Sequence, residues 1–318
     1  MFYKDGIPIS EITCSDLNIY SGDLRISITS DCNMNCIYCH AEGKKTDSCI
    51  SLDKFVYIVT NAMNFGVKSL RITGGEPTTH PELISMCEKI KQLFPELHLG
   101  LNTNGMESDK LLFLAHKKLV DRIVFGVDYF DSVVSKNSQV GKSSKEVLST
   151  VLQVVEAGCR TEIDVVYNGD YNNIFHLCAW CIRNNIRLKI LEEINDEKSE
   201  FPNLDFTNMI SKIISDFQLK AGNNIAFNDV YGCDAHGVVC VSFFHSLCRT
   251  RECAKCARMH MRITSEGKTK PCLKNSETEF DLLQGDFQMN LLKGICSLGV
   301  PPELSKSSWI KFDRVKGV

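Results

Sequence analysis

The sequence predicts an α/β fold built on parallel strands, and three observations predict it. Short runs rich in β-branched residues recur between residues 23 and 194, longer amphipathic segments separate them, and hydrophobic residues at 43% with charged residues at 24% describe an ordinary globular chain. In order, the strand candidates are LRISIT (24–29), SLRITG (69–74), LHLGLN (97–102), DRIVFGV (121–127), TEIDVVY (161–167) and IRLKILEEI (186–194). Helix-like stretches fall between them near 52–65, 81–93, 108–118, 143–157 and 172–184. Strands that alternate with helices need crossover connections, and crossovers leave neighbouring strands parallel. Two arrangements suit this pattern: an open doubly wound sheet, or a barrel of six βα units. Either gathers functional residues at the C-terminal ends of the strands.

The polar stretch 192–206 reads as a linker, followed by a helix near 205–219. Beyond it NNIAFND (223–229), GVVCVSFFHS (237–246) and HMRITSEGKTKPCL (260–273) read as short strands, the last a hairpin turning at Ser265, Glu266 and Gly267. The expected organisation is an N-terminal extension (1–22), a strand–helix body (23–200), a linker and helix (201–219) and a small second domain (220–318). A net charge of -3 without runs of like charge gives no reason to expect a nucleic-acid polymer as partner. The first residues have no signal-peptide pattern, and no apolar run reaches the roughly 18 residues of a membrane helix. The expected location is the cytoplasm.

Sixteen cysteines are unevenly spread. Cys32, Cys36 and Cys39 follow the first strand directly, and Cys248, Cys253, Cys256 and Cys272 form a second group. Clustered thiols in a chain without an export signal favour metal or redox chemistry over disulfides. Three thiolates can ligate three irons of a four-iron, four-sulfur (4Fe-4S) cluster and leave the fourth iron open. The same spacing also suits a structural zinc site completed by His40. Two more loops, Gly74-Gly75-Glu76-Pro77 and Asn102-Thr103-Asn104-Gly105, end the second and third strands. All three loops are expected at one end of the sheet.

CNMNCIYC (32–39), with Tyr38 before its last cysteine, together with the GGEP loop 35 residues beyond Cys39, resembles the radical S-adenosylmethionine (SAM) superfamily. The resemblance implies a partial (β/α)6 TIM-like barrel. It implies that Cys32, Cys36 and Cys39 hold a 4Fe-4S cluster whose open iron chelates the methionine part of SAM. Gly74, Gly75, Glu76 and Pro77 would form the loop around the SAM ammonium, the glycines because no side chain would fit. Tyr38 would lie near the adenine, and Thr103, Asn104 and Asp128 near SAM. Thr103 and Asn104 also suit a plain turn, since Asn-Gly is a common turn pair. Reductive cleavage would yield a 5′-deoxyadenosyl radical that takes hydrogen from substrate, with a flavodoxin or ferredoxin as electron donor.

Cys253 and Cys256 followed by fifteen residues and Cys272 are a second three-thiol arrangement, for which a zinc ribbon with Cys248 is one reading. With DGIPI (5–9), LRISITSDCNMNCIYC (24–39), LRITGGEP (70–77), VLSTVLQVVEAG (147–158), RLKILEEI (187–194) and CAKCARMHMRITSEGKTKPCL (253–273), it resembles the GTP 3′,8-cyclase (MoaA-type) family of molybdenum-cofactor biosynthesis. That resemblance implies a C-terminal twitch-like domain in which Cys253, Cys256 and Cys272 hold an auxiliary 4Fe-4S cluster facing the substrate. It further implies substrate contacts from Arg25, Lys189 and Arg262, and from either Arg258 or His260.

Departures from the family fall at its phosphate-binding positions. Thr78, Thr79 and His80 replace basic residues after GGEP, the fifth strand carries Glu162 and Asp164 where a lysine is usual, and Gly126 replaces a serine. The chain ends Lys316-Gly317-Val318 rather than in Gly-Gly. A triphosphate needs several converging cations, and these replacements remove charge and add repulsion. The expected enzyme is therefore a paralogue that cyclises or rearranges another small molecule or nucleotide, one with fewer phosphates or carrying a positive group. Two alternatives stand beside it: a radical SAM peptide maturase, and a non-catalytic metal protein that binds a partner. Cys178 and Cys181, inside a helix-like stretch, read as core packing.

Overall fold

The computed structural model describes residues 3–4, 7–8, 23–36, 38–39, 48–64, 66–130, 143–193, 203–222, 228–233, 239–245, 261–273 and 279–297. Its elements in order are β1 (Tyr3–Lys4), β2 (Ile7–Pro8), β3 (Asp23–Ser27), α1 (Leu52–Met63), β4 (Ser69–Thr73), α2 (Leu83–Leu93), β5 (His98–Thr103), α3 (Ser108–His116), β6 (Arg122–Gly126) and α4 (Ser144–Glu156). There follow β7 (Arg160–Tyr167), α5 (Tyr171–Arg183), β8 (Arg187–Glu192), α6 (Asn203–Asp216), β9 (Lys220–Ala221), β10 (Asn228–Cys233), β11 (Val239–Phe244), β12 (Met261–Ile263) and α7 (Phe287–Cys296). The alternation of strand and helix through residue 192 is the one expected. This is an α/β fold with parallel strands.

The chain divides into two compact units. The first comprises Met1–Cys32, His40–Leu99 and Arg251–Val318. In it β3 pairs in parallel with β4 on one side and with β12 on the other. Alternation along these strands buries Leu24, Ile26, Leu70, Ile72, Met261 and Ile263. Helix α1 buries Phe55, Ile58, Val59 and Ala62, the spacing of a single helix face. Its first turn is capped from outside, since Leu52 N donates to Glu82 Oε2 at 3.1 Å. The hairpin after β12 turns as expected: Gly267 sits at φ +80, and Thr264 N donates to Lys268 O at 2.8 Å. Helix α7 lies so close to that hairpin that a Cβ on Gly294 would meet the Thr269 side chain at 2.7 Å.

The second unit comprises Asn33–Cys39 and Gly100–Thr250. Strands β5, β6, β7 and β8 pair in parallel in sequence order. One face buries Ile123, Phe125, Ile163, Val165, Leu188 and Ile190. Helix α4 starts with a full capping box, in which Ser143 and Glu146 satisfy each other's backbone N–H groups, a device worth about 1 kcal/mol. Asp170 caps α5 by accepting Asn173 N at 3.1 Å. Cys178 and Cys181 are fully buried on that helix. No helix among the described residues is long and apolar enough to cross a membrane.

Strand pairing departs from the separate segment expected after residue 220. β11 pairs in parallel with β8, β10 antiparallel with β11, and β9 antiparallel with β10. β12 extends β3 in the same way. An uncovered edge strand leaves a row of backbone donors and acceptors unsatisfied, and these late strands fill that need for β8 and β3.

Candidate functional site

In the first unit, the segment leading to Cys32 is clamped on two sides. Residues 28–30 pair with 48–50, through Ser30 N to Ser48 O at 2.9 Å and Ile50 N to Ile28 O at 3.0 Å. On the other side, Gly75 N donates to Thr29 O at 2.7 Å and Glu76 N to Asp31 O at 2.8 Å. A Cβ on Gly75 would lie 2.1 Å from Asp31 O, and one on Gly74 would lie 2.7 Å from Thr29 O. Both glycines are thus demanded by the backbone approaching the first cysteine. Glu76 is buried, and its Oε1 accepts Thr78 N at 3.0 Å and Thr78 Oγ1 at 2.7 Å, capping the short turn Pro77–Thr79. His80 is buried as well: its Nε2 meets Ile50 O at 2.9 Å while Nδ1 accepts Glu82 N at 3.0 Å. The loop after GGEP, where Thr78, Thr79 and His80 stand in place of basic residues, holds structural hydrogen bonds.

Cations lie instead on the strands of this unit. Register places Arg262 of β12 beside Arg25 of β3, and Arg25 beside Arg71 of β4. Residues in register on parallel strands share a face, so three half-buried arginines form one row. Arg71 escaped the sequence reading. Its signal was the repeat of Leu-Arg-Ile in 24–26 and 70–72, which puts the two arginines at the same place in adjacent strands.

In the second unit lie Cys36, half-buried, and Cys39, exposed; Cys39 N donates to Cys36 O at 3.2 Å, closing a turn that contains Tyr38. Tyr38 OH donates to Asp128 Oδ2 at 2.5 Å. Burial, the Asp128 carboxylate and the Cys36 sulfur together push the phenol far above its ordinary pKa, so it remains a donor. Burial likewise raises the Asp128 carboxyl, and the bond from Tyr38 offsets part of that rise. Asn104 Nδ2 donates to Asn33 Oδ1 at 2.6 Å. Thr103 behaves as a turn residue: it is buried, and its Oγ1 accepts Gly105 N at 3.0 Å. Beside these residues lies a small open recess, whose walls include Met34, Asn104, Gly126, Val127, Asp128 and Val147. Such a mixture of one amide, one carboxylate and apolar surface suits a ligand of mixed polarity.

On the inner strands of this unit one carboxylate is shared by three guanidinium groups. Glu162 meets Arg160 at 2.9 Å, Arg187 at 3.5 Å and Arg122 at 3.6 Å. Burial pushes its carboxyl up, and Arg122, Arg160 and Arg187 pull it down further, to a net value below the usual range. The repulsion expected of Glu162 is therefore absent. Lys189 is in register with Asp164, and its Nζ lies 4.9 Å from the centre of the Phe244 ring.

His40, Cys248, Cys253, Cys256, Arg258, His260 and the chain end lie outside the described residues. Cys272 is half-buried beyond the hairpin. Among the described residues no three His, Cys, Asp or Glu side chains converge on one point as an ion's ligands would. The fit of an iron–sulfur cluster rests on the donor set: three thiols within eight residues, soft ligands of the kind such clusters take.

Residues 26–176 match the family described as the Radical SAM superfamily. A relative named "Probable GTP 3',8-cyclase" from Methanococcus aeolicus is 27% identical over 269 residues, covering 82% of this chain and 88% of the relative. A protein of the same name from Sulfolobus acidocaldarius is 26% identical over 271 residues, covering 82% and 83%. Among solved structures, Streptococcus suis SuiB is similar with a TM-score of 0.66 at 18% identity, over 87% of this chain and 67% of that one. The structure titled "Native anSMEcpe with bound AdoMet" matches at a TM-score of 0.61 and 15% identity, over 87% and 80%. At these identities the two structures speak for the fold.

Proposed function

We propose, for a chain that carries a radical SAM superfamily domain at residues 26–176 and is an enzyme, that it performs radical chemistry on an anionic small molecule of the nucleotide class. The observation that carries this reading is the cysteine loop, whose Asn33 and Tyr38 are bonded to Asn104 and Asp128, walls of the recess. Cys32, Cys36 and Cys39 would hold the 4Fe-4S cluster. When bound, that cluster supplies the electron that cleaves SAM to the 5′-deoxyadenosyl radical, which takes hydrogen from the substrate. The chain's own part is to bind, orient and exclude water. Met34, Val127 and Val147 provide apolar walls, and Asn104 a polar group among them. The row Arg262–Arg25–Arg71 supports an anionic substrate, because guanidinium groups in register match phosphate and carboxylate geometry. The relatives' name points to GTP, while Thr78, Thr79 and His80 add no cations and Asp164 adds an anion. A nucleotide with fewer phosphates than GTP fits that balance. Cys253, Cys256 and Cys272 would hold an auxiliary 4Fe-4S cluster.

The test is anaerobic reconstitution, with iron and sulfide counted and 5′-deoxyadenosine measured after SAM and a reductant are added. About eight irons with SAM cleavage is the expected result. Zinc without cleavage would sink the enzyme reading of the cysteines. Loss of Cys253, Cys256 and Cys272 together should halve the iron, and an unchanged count would remove the auxiliary cluster. Cleavage stimulated by GTP but not by GMP would overturn the divergent substrate.

A further inference from the structure

Asn33 and Tyr38 stand five residues apart on the cysteine loop, and each is tied to the C-terminal end of a different strand. Asn104, just past β5, donates through Nδ2 to Asn33 at 2.6 Å, and its Oδ1 accepts Met106 N at 3.0 Å. Asp128, just past β6, accepts Tyr38 OH at 2.5 Å. Asp128 is itself held from behind. Its carbonyl accepts Asn173 Nδ2 at 2.6 Å, and Asn173 Oδ1 accepts Phe130 N at 2.7 Å. Asn173 is buried in the first turn of α5, where Asp170 fixes its backbone N–H. A chain of bonds therefore runs from a capped helix, through the end of β6, to the tyrosine between Cys36 and Cys39.

The placement of these ties matters because Met34 and Cys36 lie between them in sequence. Met34 is one wall of the recess, and Asn104 and Asp128 are others. A cofactor that lies in the recess and also reaches a metal on Cys36 needs a constant offset between the two. Loops are the mobile part of most folds, and a loop pinned at both ends keeps its geometry. We propose that Tyr38, Asp128 and Asn173 form a positioning relay that holds the cysteine loop in register with the recess, so that Asp128 acts on the loop rather than on the cofactor. This rests on the radical SAM reading above. A positional role asks Asp128 for an acceptor of the right shape, and asks Tyr38 for its hydroxyl as well as its ring.

Both demands can be tested without assaying turnover. In metal-free protein, Tyr38→Phe keeps the ring and removes the hydroxyl, and amide hydrogen exchange across residues 36–39 should rise about tenfold. In reconstituted, reduced protein, SAM affinity is read from its effect on the electron paramagnetic resonance signal of the cluster. Tyr38→Phe and Asp128→Ala should each weaken SAM binding about tenfold at unchanged iron content. Asp128→Asn keeps an acceptor oxygen and should stay close to wild type. The double variant Tyr38→Phe/Asp128→Ala should be no weaker than either single one, because both remove the same bond. Unchanged exchange in Tyr38→Phe, additive losses in the double variant, or Asp128→Asn as weak as Asp128→Ala would each overturn the relay. Wild-type protein that takes up no iron or SAM would instead overturn the functional reading beneath it.

Discussion

Each compact unit carries a cluster of arginines on neighbouring parallel strands, and the two clusters are built on opposite principles. In the first unit the row Arg262–Arg25–Arg71 has a single sign. In the second, Arg122, Arg160 and Arg187 surround one carboxylate, Glu162. Guanidinium groups in register on one face suit the planar, bidentate recognition of phosphate or carboxylate. A carboxylate inside three guanidinium groups is already neutralised and satisfied, so it holds strands together and has little left for a ligand. Counting charged residues along the sequence treats both alike. Their partners separate them.

The sharpest way to break this contrast is charge reversal in the first row. Arg25→Glu should weaken binding of GMP, measured by calorimetry, by about a hundredfold, a larger effect than on the melting temperature. A large loss of stability with intact binding would make the row structural. Glu162→Gln should do the reverse, costing about 2 kcal/mol of folding stability in denaturant titration with GMP binding unaffected. The acid limb of stability gives a third reading. The folded pKa of Glu162 is depressed, so its contribution is complete above the unfolded value near 4.3 and disappears as pH falls through the depressed one. The gap between wild type and Glu162→Gln should therefore be constant at neutral pH and close in acid. A gap that widened in acid would contradict the ion-pair account. The smallest effect belongs to Arg160→Ala. That arginine is 49% exposed against 18% for Arg122, and solvent screening should hold its loss to about 0.5 kcal/mol or less.

Much of the fold was legible because hydrophobic period reports secondary structure directly. Each of the six strand candidates contains or overlaps an observed strand. The strands after residue 220 were legible as strands but not as partners of β8 and β3, since no local pattern says which edge a strand will cover. The loops divided similarly. GGEP was found by its motif, but the demand for Gly75 comes from the backbone of Asp31, 44 residues earlier, which would meet any Cβ at 2.1 Å. Thr103 belongs to its turn, whereas Asn104 bonds to the cysteine loop.

By itself the sequence determined the element order, the two cysteine groups and the place of the GGEP loop. These are carried by residue type and short spacing, which survive any arrangement of the chain in space. Tertiary structure alone decided that Tyr38 leans on Asp128, that Glu162 is neutralised, and that Arg71 joins Arg25 and Arg262. Apart from Arg160, which neighbours Glu162 on its own strand, these partners are far apart in sequence. Charge and hydrogen bonding act over a few ångströms of space, so their outcome depends on strand register rather than on the residues alone.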